Sequence, residues 1–131
     1  MYGLVNRAIQ ELVVSQYGVA TWSAIKADAN VASREFVALE QYPDAVTYAL
    51  VEAASVRLEI ATEAFLERLG EYWVLYTGQQ GYGDFFCMAG HDFVSFVQNL
   101  DLLHARVRRS YPDLEPPSFR CTELQEGSFR L

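Results

Sequence analysis

The stretch Asp92-Phe93-Val94-Ser95-Phe96-Val97-Gln98-Asn99-Leu100-Asp101-Leu102-Leu103-His104-Ala105-Arg106-Val107-Arg108-Arg109-Ser110-Tyr111 decides how the rest of the chain is read. Its apolar residues Phe93, Phe96, Val97, Leu100 and Val107 recur at helical spacing, which predicts one helix with a single apolar stripe. Asp92 is placed to cap the free backbone N–H groups of the first turn. Arg106, Arg108 and Arg109 stand near the C-terminal end, where the helix dipole favours cations. Pro112 stops the helix, because the residue before a proline avoids the α region. His104 lies within the stripe, four residues after Leu100 and seven after Val97.

Two readings of that imidazole are open. A core histidine whose nitrogens are satisfied by backbone or a hydroxyl is the commoner arrangement, since an unsatisfied one costs about 1–3 kcal/mol. The other reading is a metal ligand. Zinc fits poorly, because its structural sites take four Cys or His ligands at close spacing. Here Cys87, His91, His104 and Cys121 are scattered singly. A haem needs only one axial histidine in an apolar pocket, because the porphyrin supplies four nitrogens of its own.

Gln98-Asn99-Leu100-Asp101-Leu102-Leu103-His104, followed by Pro116-Pro117-Ser118-Phe119-Arg120-Cys121-Thr122, closely resembles the H-NOX (haem nitric oxide/oxygen binding) domain. That family includes bacterial gas sensors and the sensor region of soluble guanylate cyclase. Met1-Tyr2-Gly3-Leu4-Val5-Asn6, Gly70-Glu71-Tyr72-Trp73 and Gly81-Tyr82-Gly83 match it too, in the same order, so the resemblance covers the whole chain. It implies that His104 is the axial ligand of a ferrous haem b iron, with gas bound on the opposite side beside Val5 and Trp73. It also sets Tyr82, Leu100 and Leu103 against the cofactor, and has Pro117 press the porphyrin out of plane. The function implied is a sensor of nitric oxide and carbon monoxide rather than an enzyme. Nitric oxide would weaken the iron–His104 bond and free the helix to shift. The output would come from a separate effector: a histidine kinase, a diguanylate cyclase or a guanylate cyclase. Members that bind oxygen stably use a distal tyrosine from a later region, and Trp73 resembles the members that lack one.

The family's Tyr-x-Ser-x-Arg motif, which partners the haem propionates, is not found in this sequence. The chain stops at Leu131, where that segment is expected to begin, so the resemblance implies a domain whose C-terminal sheet is incomplete. A second hypothesis is a haem-free interaction module that keeps the fold and its partner surface. A third, an enzyme using His104 as a general base, finds no nucleophile or paired carboxylate spaced around it.

With 131 residues the chain reads as one domain, and its 51% hydrophobic content suffices for a core. A net charge of −7 argues against nucleic acid and anionic membrane surfaces as partners. Two distant cysteines, no signal-like N-terminus and no apolar run of ~18 residues make the expected location cytoplasmic.

The rest of the chain supports an α+β fold, mostly helical with a small C-terminal antiparallel sheet. Val5, Ala8, Ile9, Leu12 and Val13 mark a helix over 2–16 ended by Gly18, and a second helix turns Val19, Trp22, Ile25 and Ala29 inward. Phe36, Val37 and Leu39 suggest a helical turn against the core. Pro43-Asp44 opens a helix to about Leu58 that buries Val46, Leu50, Ala53 and Ala54. Thr62 caps another, through Leu69, ended at Gly70. Tyr72, Trp73 and Tyr76 follow as core aromatics, and Gly78, Gly81 and Gly83 break the chain around Tyr82. His91 falls in a loop. Ser118–Leu124 and Ser128–Leu131 read as a hairpin with Gly127 in the αL conformation, its two Ser-Phe-Arg repeats paired across the strands.

Overall fold

The structure is a computed structural model; it describes all residues except 33–34, 126–127 and 131, together with the side chains of 81–82, 124–125 and 128–129. The fold is mostly helical, with one two-stranded antiparallel sheet near its C-terminal end. Contacts divide it into two compact units, Met1–Thr77 and Gly78–Leu131. Among the described residues no helix is long and apolar enough to cross a membrane.

The first unit holds α1 (Gly3–Asp28), α2 (Asp44–Arg57) and α3 (Thr62–Tyr72), and a π-helical turn, Trp73–Thr77, continues α3 directly. Ile9, Leu12, Val13, Trp22 and Ile25 of α1 pack with Leu50, Val51 and Ala54 of α2, Phe65 of α3, and Phe36 in one core. Gly18 sits at φ 86° and ψ 164° inside α1, a conformation essentially restricted to glycine, so α1 bends there as expected. Past the bend Trp22 and Ile25 turn inward, whereas Val19, expected inside, is 65% exposed. Thr47 Oγ1 donates to Asn6 Oδ1 at 2.7 Å and joins α1 to α2 inside the core. Both helices end on a left-handed residue, Asn30 and Glu59. The amides that follow, Val31 and Ile60, reach back to the Lys26 and Ser55 carbonyls.

The helical turn expected around Phe36 is reduced to one hydrogen-bonded turn, with Glu40 N–H donating to the Val37 carbonyl at 3.1 Å. Only Phe36 is buried there, edge-on to Trp22 and Tyr42 at centroid distances of 6.5 and 5.2 Å, while Val37 and Leu39 are exposed. The physical reason is competition for backbone partners. Gly3 N–H donates to the Glu40 carbonyl, Leu4 N–H to Ala38 and Tyr42 N–H to Met1, so this segment pairs with the N-terminal residues. An added Cβ at Gly3 would collide with the Val37 carbonyl, which explains a glycine at this crossing.

Gly70, Gly81 and Gly83 do not break the chain as expected. α3 starts at Thr62 without a side-chain cap and runs through Gly70 to Tyr72. Likewise α4 (Gln79–Ala89) runs through Gly81 and Gly83. A glycine ends a helix where the chain must adopt positive φ; here both helices continue at negative φ, and the residue is merely a weak helix former. The wide π turn stacks Tyr76 on Tyr72 at 4.8 Å.

The second unit continues from α4 to α5 (Phe93–Gln98), α6 (Leu100–Ser110), an irregular segment, β1 (Thr122–Gln125) and β2 (Ser128–Arg130). Asp92 caps α5 as expected, with Oδ1 accepting from Ser95 N–H at 2.9 Å. The expected single helix is broken at Asn99, at φ −97° and ψ 6°. There the Asn99 amide donates to the Ala89 carbonyl at 2.8 Å, tying the break to the end of α4. Phe93 is 75% exposed and does not join the stripe; Leu103 is the buried residue of α6. α6 stops at Ser110, ahead of Pro112. In the hairpin Thr122 pairs with Arg130, Glu123 with Phe129 and Gln125 with Ser128, with a bulge between Glu123 and Gln125. Ser118-Phe119-Arg120 precedes β1, so the two Ser-Phe-Arg repeats do not pair. Gly127, expected in the αL conformation, lies outside the described residues.

Candidate functional site

His104 lies one turn into α6, half-buried. Its Nδ1 is 2.8 Å from the Leu100 carbonyl oxygen, which can only accept, so Nδ1 carries the proton. In an imidazole with its proton on Nδ1, Nε2 carries the in-plane lone pair. That is the arrangement of a metal-ligating histidine, whose other nitrogen donates to a carbonyl that fixes tautomer and orientation. Leu103 is buried and Leu100 half-buried on the same helix, giving the imidazole apolar neighbours in sequence.

The ring of Phe119 covers a face of this imidazole, with centroids 4.8 Å apart and planes tilted by 33°. Asp101, also on α6, accepts from Phe119 N–H at 2.9 Å and from Ser118 Oγ at 3.3 Å. Neither Asp101 nor Phe119 was singled out by sequence pattern. The available signal was only that both fall inside the motifs flanking His104.

These groups fit the axial position of a haem, which needs one protein nitrogen. They do not form a protein-only tetrahedral centre: among the described residues no group of three His, Cys, Asp or Glu side chains converges. Of the other sequence-derived site residues, Pro117 is exposed, two positions before Phe119. Val5 and Trp73 belong to the first unit and are half-buried there, Trp73 opening the π turn. The side chain of Tyr82 lies outside the described residues.

At the joint of α4 and α5 a groove of about 510 Å³ is lined by Cys87, His91, Asp92, Ser95 and Asn99 among others. His104 does not line it. Donation from the Ser95 backbone N–H holds the Asp92 carboxyl below the usual aspartate range, assisted by the nearby Ser95 hydroxyl, the Val94 amide and His91.

A family model described as haem-NO-binding matches residues 2–131. The chain belongs to that family. Among curated relatives, the soluble guanylate cyclase gcy-32 of Caenorhabditis elegans is 28% identical over 134 residues, covering 100% of this chain and 20% of that protein. The chain therefore spans about a fifth of the length of such relatives. Among solved structures, an H-NOX protein from S. oneidensis in the Fe(II)NO ligation state superposes with a TM-score of 0.85. It is 19% identical, covering 98% of this chain and 71% of that one. An Fe(II) unliganded H-NOX protein from K. algicida gives 0.78 at 18% identity, covering 95% and 68%. At such identities the likeness shows the fold, and it agrees with the α+β reading of the sequence.

Proposed function

We propose that the chain is a gas-sensing domain in which His104 is the axial ligand of a ferrous haem b, with nitric oxide and carbon monoxide as the gases sensed. The observation that carries this is the Nδ1–H donation to Leu100, which leaves Nε2 as the only coordinating nitrogen of His104. When bound, the haem iron supplies the open position at which a diatomic gas coordinates. Leu100 and Leu103 keep water from the imidazole. The roles of Pro117, Val5, Trp73 and Tyr82 against the cofactor, and the preference for nitric oxide over oxygen, are supported by family membership and the motifs quoted above.

α6 is the element that would carry the signal. His104 holds it on the cofactor side, and Asp101 ties it to residues 118–119. Release of His104 would free α6 on its cofactor side while Asp101 still ties it to residues 118–119, a two-state element of the kind that sensing requires. The output would pass to a separate effector, such as a histidine kinase, diguanylate cyclase or guanylate cyclase; the guanylate cyclase relatives support the last of these. That one family model runs across the boundary between the two units supports treating residues 1–131 as one sensor domain.

The test is the ferrous Soret spectrum of the haem-loaded chain against His104→Gly. The variant should lose axial ligation and regain it with free imidazole. An unchanged spectrum overturns the assignment. Failure of the wild-type chain to take up haem at all would favour a haem-free interaction module instead.

A further inference from the structure

An imidazole on a helix keeps rotational freedom that a single hydrogen bond does not remove. The Nδ1 contact to Leu100 sets which edge of His104 points back along α6, yet the ring can still rock about that bond. The face contact from Phe119 restrains the rocking. Phe119 itself lies in irregular chain, three residues before β1 begins, where no strand ladder holds it. Its backbone is fixed instead by the Asp101 carboxylate, which accepts from the Phe119 N–H and the Ser118 hydroxyl. Asp101 and His104 are three residues apart on α6 and so share a face. One short segment thus meets helix and ring together.

We propose that Phe119 is a positioning residue for the His104 imidazole, and that Asp101 acts through it by anchoring residues 118–119 to α6. This rests on the reading of His104 as the axial ligand. It adds a determinant of how Nε2 is presented: the orientation of the imidazole follows the position of the segment after Pro117. A displacement of that segment reaches His104 through a ring contact, and a displacement of α6 reaches the segment through Asp101. The two halves are linked in both directions, as any coupling of binding free energies must be.

The experiment uses Phe119→Leu, Phe119→Tyr and Asp101→Ala in the full chain, with ring-labelled histidine for NMR and with haem for resonance Raman. In the haem-free chain the His104 ring protons should be displaced upfield by the Phe119 ring current. F119L should abolish that displacement, D101A should reduce it, and F119Y should keep it. Identical His104 shifts in wild type and F119L overturn the proposal. In the haem-loaded chain the iron–histidine stretch should be one narrow band in wild type and F119Y, and shifted or broadened in F119L and D101A. A band unchanged in both of those variants also overturns it. The failure of the ligand assignment looks different: the ring-current effects persist, while no iron–histidine band is lost in His104→Gly. That result reduces Phe119 to a packing contact and overturns both readings.

Discussion

Replacing Gly90 by alanine places a Cβ 2.5 Å from the Phe96 amide nitrogen, 2.6 Å from Ser95 Oγ and 2.8 Å from the Ser95 carbonyl carbon. Ordinary contact begins at 3.4 Å. The hydroxyl could rotate away, at the loss of its 3.2 Å donation to the Asp92 carbonyl. The other two atoms are backbone of the first turn of α5 and cannot. α5 must therefore move by most of an ångström, carrying with it the Asp92 cap and the joint to α4. Overpacking of this kind costs about 1–3 kcal/mol. Amide exchange across α5 should accelerate roughly 5- to 150-fold in G90A, taking tenfold per 1.4 kcal/mol. The control is Gly83→Ala, inside α4, where nothing lies within 4 Å of the new Cβ. There the better helix former should stabilise the second unit by about 0.5–1 kcal/mol. Hydrogen exchange read by mass spectrometry distinguishes the two. If G90A exchanges like wild type, or no faster than G83A, the steric argument is wrong.

Gly18→Ala also meets nothing within 4 Å, yet its φ of 86° with ψ of 164° should make it costly by about 1–3 kcal/mol. Urea denaturation of the first unit should show that loss; a neutral result would mean that the bend of α1 relaxes. The Asp92 cap carries a pH dependence whose sign follows from its lowered carboxyl. Its contribution to α5 is fully present above the ordinary aspartate value of about 3.9 and is lost as pH falls through the lower folded value. The Ser95 amide resonance should titrate with a midpoint below that ordinary value, and the titration should vanish in Asp92→Ala. A midpoint at or above 3.9 would show that the hydrogen bonds of the cap do not persist in solution.

Periodicity made much of this molecule readable in advance. The spacing of Ile9, Leu12 and Val13, of Leu50 and Ala54, and of Trp22 and Ile25 is the spacing of a core, and all are buried. Asp92 and Pro112 bounded their helices because capping and proline geometry act within a few residues. The glycines misled for the converse reason: Gly70, Gly81 and Gly83 permit a break without demanding one, and the chain around them had helical partners to continue with. Asn99 could not be read as a break because its amide bonds to Ala89, ten residues away. At the candidate site His104 stood out as a lone imidazole in an apolar stripe. Asp101 did not, since a carboxylate in a first helical turn looks the same locally whether it faces water or a loop amide. Its partner Phe119 lies eighteen residues on, across a contact that no local pattern encodes.

The chain has two tryptophans, and both Trp22 and Trp73 fall in the first unit. Trp22 is buried in the core, and Trp73 sits in the π turn. Intrinsic tryptophan emission is therefore a label attached to one unit only. A melting curve followed at that wavelength reports the surroundings of Trp22 and Trp73, and no tryptophan lies in α5, α6 or the segment that carries Phe119. Tyr111, 9% exposed beside the end of α6, is the natural position for an added indole that would make the second unit visible.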